Sequence, residues 1–344
     1  MNQFTKLLTI TLGISFISVF LIFVFVWDRQ TLDLILGMRM EFIFGALLLH
    51  LLSFVVWGLR TTSMSKAIGY NVKFLDAIEI VTSSVFLASI TPSSAGGEPL
   101  RVHLLSKRYM PVGKATAVVV TERLLDAIVI LIASPIAVYF LRGRINDPRL
   151  DILLLAGVGI MFAVIFLLGY SVKRPGKLAN FIHISAGAFS RFTGKRAFIR
   201  NLPHRIEKEI GHFSQCSHDF INEGRRGLFF GMLFTIIFWV LEFSLIPALL
   251  LGLGSEPFFL YAFATQVLLF ILLIVPATPG SSGIAEFGAT TLFSTFVPAY
   301  MLGVLVIIWR AFTFYINLLI GGLVSFKILH DSDLMGEILN KKPD

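Results

Sequence analysis

The chain has 344 residues, 56% of them hydrophobic and 15% charged, against roughly 45–50% and 25% in an ordinary soluble domain. A mean hydropathy of +0.83 leaves too little polar surface to cover a water-facing globule and excludes a disordered chain, while the single cysteine, Cys216, excludes a disulfide scaffold. The 29 Lys/Arg against 21 Asp/Glu, net +8, read as the loop bias of a membrane protein, and no nucleic-acid partner is expected.

A hydrocarbon core about 30 Å thick takes about 20 apolar residues of helix. Six stretches qualify, at about 7–27, 41–59, 115–141, 150–170, 228–250 and 302–328. The first is too long for a cleaved signal peptide, and no small-x-small site follows Val26-Trp27. Two more apolar stretches are interrupted: 76–105 at Thr91-Pro92-Ser93-Ser94-Ala95-Gly96-Gly97, and 258–298 at Pro276-Ala277-Thr278-Pro279-Gly280-Ser281-Ser282-Gly283. Pro and Gly at this density stop a helix. The arms, 10–18 residues each, are short for a crossing, so re-entrant hairpins are expected, with four tilted or kinked spans as the alternative. The fold class is therefore an all-α polytopic integral membrane protein, with about six transmembrane helices and two broken hairpins in one membrane domain over 1–344.

With a cytoplasmic N-terminus, 22 basic residues face the cytoplasm, among them Arg60, Arg101 and eleven in 171–227, and five face outside: Arg29, Arg39, Arg142, Arg144 and Arg149. The bias puts both termini in the cytoplasm of a cell-membrane protein. In the loop 171–227, Ile206, Ile210, Phe213 and Phe220 recur at helical spacing between basic residues. That pattern suits an amphipathic helix on an anionic leaflet or on the base of the bundle. His212, Cys216 and His218 fit no common zinc spacing. Arg123 and Arg310 fall inside predicted spans.

The two breaks resemble each other: each has Thr-Pro, Ser-Ser, glycine and a closing glutamate, Glu98 or Glu286. Pro92 precedes Arg123 by 31 residues and Pro279 precedes Arg310 by 31, while Glu79 and Gln266 each lie 13 residues upstream of the proline. On the expected topology the halves, about 41–141 and 228–328, are inverted repeats, and matched interruptions in inverted halves point to a midplane substrate site. An arginine at such depth costs at least about 2.5–3.5 kcal/mol unless paired or hydrated. Glu98, Glu122, Asp126 and Glu286 are candidate partners, pairs that either pin the hairpins or serve the site. Where the chain turns at Ser93, Ser94, Gly96 and Gly97, and again at Ser281, Ser282 and Gly283, backbone N–H groups are expected to point outward and attract a phosphate. The alternative is that these small residues serve close packing. Arg123, Arg310, the two tips, Glu98 and Glu286 are the candidate headgroup site; Pro92, Pro279, Glu79, Gln266, Glu122, Asp126 and Glu242 are candidates for coupling or gating. Glu242, mid-span and without a repeat counterpart because the matching position is Val55, is read either as a proton carrier or as a satisfied interhelical hydrogen bond.

No catalytic constellation, P-loop, metal motif or cofactor fingerprint is present in the sequence. The runs Ile90 to Arg101, Thr121 to Asp126, Pro276 to Glu286 and Trp309-Arg310 make the chain resemble the flippase-like family, the transmembrane domain of lysylphosphatidylglycerol synthases, over nearly its whole length. The family's motif positions correspond here to Pro92, Gly96, Gly97, Glu98, Arg101, Glu122, Arg123, Asp126, Pro279, Gly280, Gly283, Glu286 and Arg310, with Ser281-Ser282 where a double glycine is usual. The resemblance implies translocation of an anionic lipid, either a phospholipid, an aminoacyl-phospholipid or a polyprenyl-phosphate-linked lipid. With no soluble domain after 328, it implies a flippase without the synthase. Alternatives are a scaffold presenting lipid to a partner synthase or glycosyltransferase, and a membrane transferase with Glu98 or Glu286 as base.

Overall fold

The computed structural model describes residues 29–91, 96–141, 225–274 and 281–331, with four more residues between 158 and 166. The predicted spans 7–27 and 150–170, the loop 171–224 and the tip residues Pro92, Ser93, Ser94, Pro279 and Gly280 lie outside the described residues.

Every described element is a helix: α1 Arg29–Leu36, α2 Met40–Ala67, α3 Phe74–Ile90, α4 Gly97–Arg108, α5 Val112–Leu141, α6 Arg225–Phe243, α7 Leu245–Gly252, α8 Phe259–Leu273, α9 Ile284–Phe293, α10 Ala299–Arg310, a π-helical turn Ala311–Ile316 and α11 Asn317–Asp331. In lipid a backbone must satisfy its own polar groups, and a helix does so within one segment. Among the described residues, four runs are long and apolar enough to cross a membrane: α2, α5, α6 with α7 (Arg225–Gly252), and α10 through α11 (Ala299–Ile328). They coincide with the predicted spans at 41–59, 115–141, 228–250 and 302–328. The chain is an all-α polytopic membrane protein.

One boundary differs. α2 runs on to Ala67, because Arg60, Thr61, Met64 and Ser65 are buried rather than exposed. Arg60, counted from the sequence as a cytoplasmic loop charge, is a fully buried helical residue, and so is Arg101 on α4.

The long helices turn apolar stripes outward at helical spacing: Phe44, Leu48 and Leu52 on α2, Leu233, Ile236 and Val240 on α6, and Leu319, Leu323 and Phe326 on α11. These suit contact with lipid. Inside the bundle α2 packs on α6 and α7, α3 packs on α11, and α8 packs on α5. The short arms pack as pairs, α3 with α4 and α8 with α9.

Close approach depends on small residues, since lipid tails supply no hydrophobic drive between helices. A Cβ on Gly321 of α11 would stand 2.7 Å from the Thr82 carbonyl oxygen and 2.8 Å from Phe86 Cβ, whereas one on Gly322 would meet Phe86 at 3.4 Å. Gly97 fits α4 against α3 in the same way, 3.0 Å from Ala88 Cβ and the Ser84 carbonyl.

Interruptions of the ladder are repaired locally. Pro135 in α5 has no N–H for the Leu131 carbonyl, and the Ser134 hydroxyl donates to it instead at 3.0 Å. Pro247 likewise deprives the Phe243 carbonyl, and the buried Gln266 amide donates to it at 2.7 Å across the interface from α8.

Gly321→Ala is expected to destabilise the purified protein by about 1–3 kcal/mol through overpacking, while Gly322→Ala is neutral or stabilising. Paired thermal-unfolding curves in detergent check the contrast.

Candidate functional site

Four helices converge on one buried ion cluster. α2 supplies Trp57, Arg60 and Thr61; α4 supplies Glu98 and Arg101; α5 supplies Glu122, Arg123 and Asp126; α6 supplies Thr235 and Trp239. Glu122, wholly buried, accepts from Trp57 Nε1 at 3.0 Å, Thr61 Oγ1 at 2.8 Å, Arg60 Nη2 at 3.4 Å and the Arg101 guanidinium. Asp126 Oδ1 accepts from Arg60 Nη1 at 2.7 Å and Trp239 Nε1 at 3.1 Å. Trp57 is the centre of the arrangement: the guanidinium carbons of Arg60, Arg101 and Arg123 lie 5.4, 5.0 and 4.9 Å from its ring, within cation–π range.

Arg123 is held differently from its neighbours. It lies 3.3 Å from both Glu98 Oε1 and Asp126 Oδ2, but neither contact has hydrogen-bond geometry, and Arg123 Nε and Asp126 Oδ2 are buried without a hydrogen-bond partner. Its side chain is one-third exposed, as is that of Glu98. The three arginines and three carboxylates of the cluster balance, yet one of these cations is paired by proximity alone.

Arg310 is clamped. Its Nε donates to Glu286 Oε1 at 2.8 Å and its Nη2 to Ser282 Oγ at 3.2 Å, and its head lies 4.5 Å from the Phe314 ring. Glu286 also accepts from the Gly283 N–H at 2.6 Å, so one carboxylate both caps α9 and fixes the arginine. A π-helical turn follows at Ala311–Ile316, a device common beside functional sites.

The two arginines share a cavity of about 410 Å³. Its walls are Val85, Ala88 and Ser89 at the end of α3, Glu98, Arg123, then Phe270, Leu273 and Ile274 at the end of α8, Ser281, and Trp309, Arg310, Thr313, Phe314 and Asn317. The ends of both broken segments therefore border one space whose polar groups, among the described residues, are two cations, one carboxylate, hydroxyls and an amide. Its size lies in the range of small-ligand pockets.

The structure brings Arg123, Arg310, Glu98 and Ser281 to the cavity, with Glu122, Asp126, Ser282 and Glu286 directly behind them. It does not bring Glu79 or Gln266 there: Glu79 pairs with Lys327 at 2.6 Å between α3 and α11, and Gln266 serves the Phe243 carbonyl. Two of the outward-pointing N–H groups expected at the tips are engaged by acceptors of the chain itself. The Gly96 N–H donates to Thr91 Oγ1 at 2.9 Å, and the Gly283 N–H to Glu286, because a local acceptor lies within reach of each. The glycines at Gly96 and Gly97 serve close packing against Thr91, Leu87 and Ala88.

Sequence reasoning missed Trp57, Arg60, His50 and Asn317. A signal existed on α2: His50, Ser53, Trp57, Arg60 and Thr61 fall at helical spacing and form one polar face in an apolar helix. Glu242, left open between two readings, bonds to His50 Nδ1 at 2.9 Å.

The fold and the site define a multi-pass membrane protein whose helices enclose a charged cavity beside a buried ion cluster. The chain belongs to the family described as the lysylphosphatidylglycerol synthase TM region, which it matches over residues 9–321. It is 32% identical over 285 residues, 83% of this chain and 86% of the relative, to a UPF0104 membrane protein of Archaeoglobus fulgidus. It is 26% identical over 330 residues to one of Pyrococcus horikoshii, covering 94% of this chain and 97% of the relative. No solved structure matches it.

Glu122→Gln is expected to destabilise the protein by about 3–5 kcal/mol, because it leaves Arg60 and Arg101 buried beside one anion fewer. The double variant Glu122→Gln/Arg101→Met restores the balance and should recover part of that loss in the same thermal-unfolding assay.

Proposed function

We propose that this protein carries a phosphate-bearing lipid between leaflets, with the headgroup entering the cavity and the tails remaining in the bilayer. The observation that supports this most is the meeting of Arg123 and Arg310 on one cavity, with Arg123 lacking a geometrically formed hydrogen bond. A guanidinium presents a planar fork of donors matched to phosphate oxygens, and an anion in the cavity would give Arg123 the directed hydrogen bonds that Glu98 and Asp126 do not supply. The apolar end of α8 beside it suits the glycerol or isoprenoid portion below a headgroup. The family name, taken from synthases of an aminoacylated phospholipid, agrees with a lipid cargo.

The reading includes an inverted repeat and alternating access. α4 and α9 begin at Gly97 and Ile284, α5 and α10 at Val112 and Ala299, and the arginines stand at 123 and 310, each pair 187 residues apart. The packing is reciprocal, since α3 lies on α11 while α8 lies on α5, the exchange a pseudo-two-fold axis would produce. At about 1.5 Å per residue, the 12 residues of α4 and the 10 of α9 fall short of a 30 Å core, which supports re-entrant hairpins meeting at the cavity. The basic-residue bias of the sequence supports a reading with both termini in the cytoplasm. Carriage rather than lipid chemistry is favoured because Glu98 and Glu286 both face arginines and neither is poised as a free base.

In proteoliposomes holding fluorescent phosphatidylglycerol, Arg123→Gln should weaken headgroup capture by about 1.5–3 kcal/mol, roughly ten- to a hundredfold, and slow leaflet exchange measured by dithionite quenching. Folded Arg123→Gln and Arg310→Gln proteins that exchange lipid at the wild-type rate would refute the assignment.

A further inference from the structure

The carboxylates of the cavity and its surroundings divide into two kinds. Glu98, Glu122, Asp126 and Glu286 each face an arginine, which does not give up its proton in a protein, so these pairs carry fixed charge. Glu242 on α6 is different. Its bonded partners are His50 Nδ1 at 2.9 Å and the Ser53 hydroxyl, both from α2, and its side chain is 16% exposed. Histidine is the side chain whose ordinary titration falls between pH 5 and 8.

Donor and acceptor bookkeeping locates a proton between them. Asn317 Nδ2 lies 2.6 Å from the Thr313 carbonyl oxygen, which can only accept, so Asn317 Oδ1 is the atom that faces His50 Nε2 at 2.9 Å. His50 Nε2 therefore carries a hydrogen. Either Nδ1 carries one too and the ring is an imidazolium against a carboxylate, or Nδ1 accepts from a protonated Glu242. Both cases place one proton between Nδ1 and Oε1. Without it, a lone pair and a carboxylate oxygen would face each other at 2.9 Å, a repulsive contact. Asn317 is also a wall of the Arg123–Arg310 cavity, which puts the imidazole one side chain away from the headgroup space.

The surroundings contain no competing switch in contact with the pair among the described residues. α7 carries no titratable residue, and α8 and the π-turn offer only Tyr261 and Tyr315. α3 holds Asp76 and Glu79 in its first turns, bonded to Tyr109 and Lys327. On α5, Glu122, Arg123 and Asp126 belong to the ion cluster, as does Arg60 ten residues along α2, and Arg310 on α10 is clamped by Glu286.

We propose that the Glu242–His50 pair is a proton site coupled to the cavity through Asn317, taking up one proton as a phosphate-bearing headgroup binds and releasing it as the headgroup leaves. This rests on the carrier reading. An anion arriving beside Asn317 favours the protonated, neutral pair over the singly negative one, and by linkage the proton must then favour the anion equally.

The test uses the full chain in detergent with short-chain phosphatidylglycerol, whose phosphodiester does not titrate between pH 5 and 8. Affinity is measured across that range, and proton uptake is followed in weak buffer with an indicator dye. Wild-type affinity should rise as pH falls, by up to roughly tenfold per pH unit within the window where the pair titrates, with proton uptake on binding. Glu242→Gln and, independently, His50→Gln should bind lipid with the pH dependence and the proton uptake lost; gel filtration confirms that each is folded, and the wild-type curve decides the matter if neither is. Binding by the wild type that is independent of pH, or folded variants that keep the wild-type pH dependence, overturns the proton site and leaves the carrier reading intact. A wild type that binds phosphatidylglycerol at no pH removes the carrier reading and this proposal with it.

Discussion

Glu122 is a carboxylate with no exposed surface in the middle of an apolar helix, and the architecture around the cavity follows from keeping it ionised. In a medium without water, such a charge is tolerable only with opposite charge and hydrogen bonds on both oxygens. Trp57, Arg60, Thr61 and Arg101 meet that demand from two other helices. Satisfying it draws α2 and α4 onto α5, and the Arg60–Asp126–Trp239 bonds add α6. Only then does the next residue, Arg123, emerge at the edge of the cluster, where the cavity begins. The exposed position of Arg123 is thus a consequence of the burial of its neighbour.

The same scarcity of water governs the backbone. Pro135 and Pro247 each remove a donor inside a span, and in both places a side chain replaces it, Ser134 from the preceding position and Gln266 from the facing helix. The two solutions have different reach. The serine repair is local and leaves α5 continuous. The glutamine repair ties α8 to the junction between α6 and α7, so a polar residue that looked in the sequence like part of a gate acts as a rivet. Beside Arg310, the π-turn brings Asn317 to the cavity wall, where its amide carries the cavity's polarity toward His50.

Much of the fold was legible because lipid imposes a simple test: long apolar runs are spans, and four of them coincide with the helices α2, α5, α6–α7 and α10–α11. The arginines at 123 and 310 were legible for the same reason, as charges where none belong. What could not be read was which charges near a span's end are loop and which are core. Arg60 lies one residue past an apolar run that ends at 59, and composition alone assigns it to water; only its place on the face shared with Trp57 and His50 argues otherwise. The tips were legible as breaks, but their chemistry depended on local acceptors. Thr91 and Glu286 lie within reach of Gly96 and Gly283 and take the N–H groups that composition alone leaves open.

The two cavity arginines differ in a way their matching positions in the sequence do not disclose. Arg310 is held by a carboxylate that also caps a helix, so moving it would unmake the start of α9. Arg123 is held at 3.3 Å by two carboxylates with no directed bond, so a stronger acceptor can take it without disturbing the Glu122 framework, which has its own arginines. On the carrier reading, two clamped arginines would leave no group free to answer a headgroup, and two loose ones would lack a fixed frame to orient it. The fixed charge is thus held by the second broken segment and the looser charge lies beside the first, and on the carrier reading Glu98, about as exposed as the arginine it faces, is the partner a phosphate would displace.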